Sequence, residues 1–177
     1  MASDLMALYQ QASDWTGEKI AGAKDLSAST PCKGWQLRDL LNHMLETQRY
    51  FSAAARGESA SPPGSNPPDS LSDDPAKDFA QARDEVVSAF SADGVIEKTG
   101  PMLGIAFADA LLHGWDVAKA TGQDATMPDG LAEAAYDAIH GRFTDEQRKG
   151  VFAPEISVDG NATPQQRLLA YTGRTPD

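Results

Sequence analysis

Residues 36–56 read QLRDLLNHMLETQRYFSAAAR. Leu37, Leu40, Leu41, Met44, Leu45, Gln48 and Phe51 fall three or four positions apart, at offsets 0, 3, 4, 7, 8, 11 and 14 from the first. Side chains on a helix are set about 100° apart, so this spacing draws one apolar stripe. The stretch is an amphipathic helix of about five to six turns, ended by Arg56-Gly57. A stripe of that kind must be covered by other elements, and the rest of the chain supplies them. Residues 3–22 carry Leu5, Leu8, Tyr9, Ala12, Trp15 and Ile20 at mostly helical spacing. Residues 77–91 carry Phe79, Ala82, Val86, Val87 and Phe90, and residues 129–143 carry Leu131, Ala134, Ala135, Ala138 and Ile139. Each pattern predicts a helix. Residues 103–121, LGIAFADALLHGWDVAKAT, predict another, with Gly122 in the position that ends a helix in the left-handed conformation. A last helical turn or two is predicted at 164–171, with Pro164 at its start and Gly173 just past its end. Residues 151–154 and 156–158 read as irregular or weakly extended.

Residues 57–76, GESASPPGSNPPDSLSDDPA, interrupt the series with prolines at 62, 63, 67, 68 and 75. Proline removes the backbone donor and fixes φ, so neither helix nor strand is expected there. The piece before it is too small to bury a core alone. The segment is therefore read as a crossover loop inside one domain spanning 1–177. The fold class is all-α, a four-helix bundle of up-down-down-up order with an additional C-terminal helical segment.

The 177 residues hold 15 Lys+Arg against 26 Asp+Glu, a net charge of −11. Such a surface repels phosphate backbones and anionic lipid, so neither nucleic acid nor membrane is an expected partner. No apolar run approaches the roughly 20 residues of a membrane span. The N-terminal stretch MASDLMALYQQASDW lacks the basic-then-apolar pattern of a secretory signal. A single cysteine, Cys32, cannot form an internal disulfide, which fits a reducing, cytoplasmic setting.

The chain has three histidines, His43, His113 and His140, and no Cys-x-x-Cys, Walker loop or Gly-x-Ser-x-Gly elbow. Within the 103–121 helix, Asp109, His113 and Asp116 share one narrow polar stripe on an otherwise apolar helix. Asp-x-x-x-His sets a carboxylate and an imidazole one turn apart, a spacing at which two side chains can grip one metal ion. The plain alternative is that the stripe is the wet edge of its helix. Against it, Asp is a poor residue for a helix interior, because its short side chain competes for the backbone. His43 stands on the flank of its apolar stripe, where a boundary role and a place in a polar cavity are both open. His140 reads as a favourable residue at a helix C-terminus. Cys32 precedes the 36–56 helix and reads either as a small buried residue or as an activated thiol.

Three stretches carry a family resemblance. The segment TPCKGWQLRDLLNH (30–43), the segment DALLHGWDVAKATG (109–122) and the segment QQRLLAYTGR (165–174) resemble motifs of the mycothiol-dependent maleylpyruvate isomerase metal-binding domain family. The last is similar to the closing motif of its short, single-domain branch. The family belongs to the DinB-like metal-binding four-helix bundles, so the resemblance implies that fold. It also implies a divalent metal bound by a histidine of the second helix and a Glu-x-x-x-His or His-x-x-x-His pair of a later one. By position the ligands are His43, Asp109 and His113, with aspartate standing where glutamate or histidine is more usual. The isomerase itself carries a further C-terminal domain that helps form its active site. Residues 144–177 do not supply one, so isomerase activity is not implied.

Two imidazoles and a carboxylate leave a coordination position open, the layout of a catalytic zinc site. Zn²⁺ is the first expectation, and the same donors suit Ni²⁺, Mn²⁺ or Fe²⁺. An open position can hold a low-molecular-weight thiol such as mycothiol as its thiolate. The functional expectation is thus a thiol-dependent S-transferase or isomerase acting on a small-molecule electrophile, as a monomer or homodimer. Asp116 is expected either to hydrogen-bond a ligand or to stand exposed. The alternative is a non-catalytic metal- or ligand-binding bundle with a stress or regulatory role.

Overall fold

A computed structural model describes residues 2–176. Its helices are α1 (Ala2–Ala21), α2 (Leu37–Ala55), α3 (Pro75–Phe90), α4 (Val95–Thr99), α5 (Met102–Thr121), α6 (Leu131–Ile139), α7 (Asp145–Val151) and α8 (Pro164–Tyr171). Among the described residues there is no strand beyond one isolated bridge between Ser29 and Gln36. The protein is an all-α, DinB-like bundle of α1, α2, α3 and α5, flanked by the smaller helices.

Cross-contacts fix the helix directions. Tyr9 of α1 donates its hydroxyl hydrogen bond to Gln48 of α2, whereas Ile20 shares a cluster with Leu37, Leu40 and Leu41. The two helices therefore run antiparallel. Arg83 of α3 pairs with Asp14 of α1 at 2.7 Å, and Phe79 faces Gly17, so α3 is also antiparallel to α1. Thr16 of α1 donates to the Ala110 carbonyl of α5 at 2.9 Å, and Gln123, just past α5, donates to the Lys19 carbonyl. Those contacts make α5 parallel to α1. The order is up-down-down-up, and the long 56–74 connection is what two consecutive parallel helices require.

α5 is the central helix. Fourteen of its residues, from Leu103 through Ala118, are buried, and its Phe107, Leu111 and Trp115 join Tyr9, Trp15, Phe51, Phe90 and Leu168 in the larger apolar cluster. Gly114 lets α1 reach it. A Cβ there would stand 2.2 Å from the Thr16 hydroxyl and 2.8 Å from the Trp15 ring, closer than atoms can pack.

The Pro-rich connection is tied down by Asn42, which is buried. Its Oδ1 accepts from the Ser70 backbone N–H at 2.8 Å and the Leu71 N–H at 3.2 Å. Its Nδ2 donates to Asp69 at 3.1 Å. α3 begins at Pro75, two residues before the expected start, because Asp74 caps it by accepting from the Lys77 N–H.

Two short helices fall in stretches that the apolar periodicity leaves blank. α4 spans five residues and α7 seven, too short to show a period. α7 nevertheless has a local cause: the Thr144 hydroxyl accepts from the Gln147 N–H, and the Gln147 side chain accepts from the Thr144 N–H. Residues 154–158 form no strand. Among the described residues, no helix is long and apolar enough to cross a membrane.

Candidate metal centre

The loop before α2 is built to hold Cys32 toward α5 and Trp35 against α2. Gly34 takes φ +86°, a left-handed backbone that glycine adopts without strain. The Thr30 hydroxyl closes the turn by donating to the carbonyls of Cys32 and Trp35. Trp35 then lies against the His43 ring, centroids 4.7 Å apart, and donates its indole N–H to the Ser65 carbonyl of the Pro-rich loop at 3.1 Å. The Cys32 thiol donates to Asp116 Oδ2 at 3.3 Å.

His43 of α2 meets His113 of α5 edge to face, with centroids 5.1 Å apart and planes at 83°. Asp109 Oδ1 stands 3.4 Å from His113 Nε2, one helical turn away. One ligand atom each from His43, Asp109 and His113 lies within 4.8 Å of the other two. All three residues singled out in the sequence are thus brought together from two helices. The wet-edge alternative does not describe their stripe: Asp116 is 0% exposed and His113 9%, and the Asp109 side chain is 22% exposed. His140 lies elsewhere, stacked on Tyr136 at the end of α6.

Two donor atoms of the trio are buried without a hydrogen-bond partner, His43 Nδ1 and Asp109 Oδ2. An orphaned buried polar atom costs on the order of 1–3 kcal/mol, so two of them in one three-residue cluster fit a site that accepts a cation. The charges agree. Burial pushes the His43 ring down to about 4, with the nearby His113 charge adding to the effect, so His43 is neutral and has a lone pair to give. Burial alone would raise Asp109, but the His113 charge and hydrogen bond bring it below the ordinary carboxylate value. Burial likewise opposes a charge on His113, and Asp109 outweighs it, raising that ring well above 6.5.

Asp116 belongs to the same site but is occupied differently. Its Oδ2 accepts from His113 Nδ1 at 2.9 Å, and Arg174, beyond α8, grips it with Nε on Oδ1 at 2.9 Å and Nη2 on Oδ2 at 2.7 Å. Burial by itself would raise this carboxyl; Arg174 holds it well below the usual carboxylate range. Cys32, His113 and Asp116 also offer three ligand atoms within 4.8 Å. With both Asp116 oxygens already engaged by the guanidinium, that group suits a cation less well than the first. Sequence reasoning assigned Arg174 no role. It lies 58 positions from Asp116, and no local pattern announces a contact at that separation.

A family model described as the mycothiol maleylpyruvate isomerase N-terminal domain matches residues 10–118. His43, Asp109, His113, Cys32 and Asp116 fall inside that span, and Arg174 outside it. The chain is 27% identical to the uncharacterized proteins MT0763 and Rv0738 of two strains of Mycobacterium tuberculosis, covering 97% of this chain and 98% of theirs. No solved structure matches it significantly.

Proposed function

Because the chain belongs to the mycothiol maleylpyruvate isomerase N-terminal domain family, we propose that His43, Asp109 and His113 hold a divalent metal ion, and that the centre serves thiol-dependent transfer or isomerisation of a small electrophile with mycothiol or a similar thiol. The observation that carries the reading is the pair of orphaned buried donors, His43 Nδ1 and Asp109 Oδ2, beside His113. Two imidazoles and one carboxylate suit Zn²⁺ first and Ni²⁺, Mn²⁺ or Fe²⁺ as well. When bound, such an ion supplies the Lewis acidity that keeps a thiol deprotonated and nucleophilic at neutral pH. Asp109 partly balances the added charge. Asp116 accepts the hydrogen bond from His113 Nδ1 and so directs Nε2 toward the shared space. Trp35, against His43 and tied to Ser65, covers one side of the site with an apolar ring and limits water there.

The test is elemental analysis of purified protein, followed by thiol-consumption assays with mycothiol and other small thiols against a model electrophile. The reading expects about one divalent ion per chain and thiol loss that stops with a chelator. Bound metal with no thiol consumption would favour the non-catalytic binding role.

A further inference from the structure

We infer that Arg174, in the C-terminal tail, is a positioning residue for the metal centre: it locks the Asp116 carboxylate, which in turn fixes the ring of His113. This rests on the metal-binding reading above. The last turn of α8 is built to deliver the side chain. Gly173 takes φ +77°, its N–H bonds to the Ala170 carbonyl at 3.0 Å, and the Arg174 N–H bonds to the Leu169 carbonyl at 2.8 Å. That pair of bonds is the glycine-ended closure of a helix. A Cβ on residue 173 would stand 2.5 Å from the Ala153 side chain, so glycine is required on two counts. The turn aims a guanidinium whose side chain is only 14% exposed. Its three nitrogens are all used: Nε and Nη2 on the two oxygens of Asp116, and Nη1 on the Thr172 hydroxyl at 3.1 Å.

Holding the tail in place does not require this contact. Leu168, Leu169, Ala170 and Tyr171 are already buried, and a buried ion pair gives little net stability over apolar packing of equal volume. What the fork does uniquely is orient. A planar guanidinium bonded at both oxygens fixes the plane of the carboxylate. The carboxylate then accepts from His113 Nδ1 at 2.9 Å and sets both the tautomer and the rotation of the ring. Asp116 Oδ2 also accepts from the Cys32 thiol. Both of its oxygens are thereby engaged by protein donors, and in this inference it acts on the metal through His113. The C-terminal tail, outside the 10–118 segment that the family model matches, becomes a structural part of the centre.

The experiment uses the full-length chain, titrated with Co²⁺ and followed by visible d–d absorption, with the folded fraction measured alongside. Arg174→Gln should lower Co²⁺ affinity by about tenfold or more and change the band shape, as removal of a ligand's outer partner does. Arg174→Lys, with one point contact in place of a fork, should fall between it and wild type. Asp116→Asn interrupts the same chain at its middle and decides the matter should Arg174→Gln not fold. Wild-type affinity and spectrum in folded Arg174→Gln, or in Asp116→Asn, overturn the inference. His43→Ala separates this from the underlying reading: unchanged Co²⁺ binding there means that the metal site itself is wrong. Loss there with no effect at Arg174 means that only the positioning role is wrong.

Discussion

His43 and His113 face one another edge to plane across the α2–α5 interface, 5.1 Å apart, and between them they carry one positive charge. His43 is held neutral, its ring pushed down to about 4 by burial and then by the His113 charge. His113 keeps its proton because Asp109 outweighs the burial that opposes it. The pair gives the metal-free protein a pH dependence of definite sign. Between about pH 4 and 6.5 the unfolded chain binds a proton at each ring while the folded one binds only that on His113, so stability rises with pH. Above 6.5 the unfolded ring of His113 is neutral and the folded one still charged, so stability falls until the raised value is passed. Asp109 and Asp116, both lowered, are ionised throughout that range. Urea denaturation of the metal-free protein across this range is expected to show maximal stability near neutral pH; a stability that climbs steadily into the alkaline range contradicts the assignment.

Metal binding should remove the alkaline decline. The cation needs the His113 lone pair, so it displaces the proton that Asp109 holds in place. Calorimetric titration with Zn²⁺ in buffers of different ionisation enthalpy should report close to one proton released per ion at pH 7. No release would mean that His113 is not a ligand, or is already neutral.

Gly114→Ala is expected to destabilise the fold by about 1–3 kcal/mol through overpacking, since its Cβ would meet Thr16 and Trp15 at 2.2 and 2.8 Å. Gly104→Ala, whose nearest neighbour is the Ala138 side chain at 3.3 Å, should cost clearly less. Equal effects in chemical denaturation would show that α1 and α5 do not owe their approach to Gly114.

Asn42→Ala should free the Pro-rich connection while leaving the bundle folded. It strands the Ser70 and Leu71 N–H groups that Asn42 now accepts, and the Asp69 carboxylate loses one donor. Cleavage between residues 57 and 74 by a broad-specificity protease should accelerate severalfold, with α2 and α3 still protected. An unchanged rate would mean that Arg38, Arg49 and Trp35, which also reach the loop, suffice to hold it.

The main helices were legible because their burial writes a period into the sequence. The helix read over residues 36–56, closed by Arg56-Gly57, lies within a residue of both observed ends of α2, and Gly122 marks the end of α5, where it adopts the left-handed conformation. α4 and α7 were not found: elements of five and seven residues bury no stripe. The Thr144 and Gln147 pair that caps α7 was the one usable signal. The Asp109, His113 and Asp116 stripe was visible as a pattern, but its burial was not, because angular position on a helix does not say what lies opposite. Arg174 shows the limit most clearly. Its contact with Asp116 depends on the direction in which Gly173 turns the chain, and only the assembled fold sets that.

The most direct test of the whole account is a competition titration of Zn²⁺ against a chromophoric chelator, comparing wild type with Asp109→Asn. Asparagine keeps the shape and one oxygen of Asp109 but removes the charge that balances the ion. The account expects Zn²⁺ affinity to fall tenfold or more, about 1.4 kcal/mol or above, with the bundle still folded. Asp109→Glu should retain binding, His43→Ala and His113→Ala should lose at least as much as Asp109→Asn, and His140→Ala should lose nothing. Wild-type affinity in Asp109→Asn, with stability unchanged to within about 0.5 kcal/mol, would contradict the metal site.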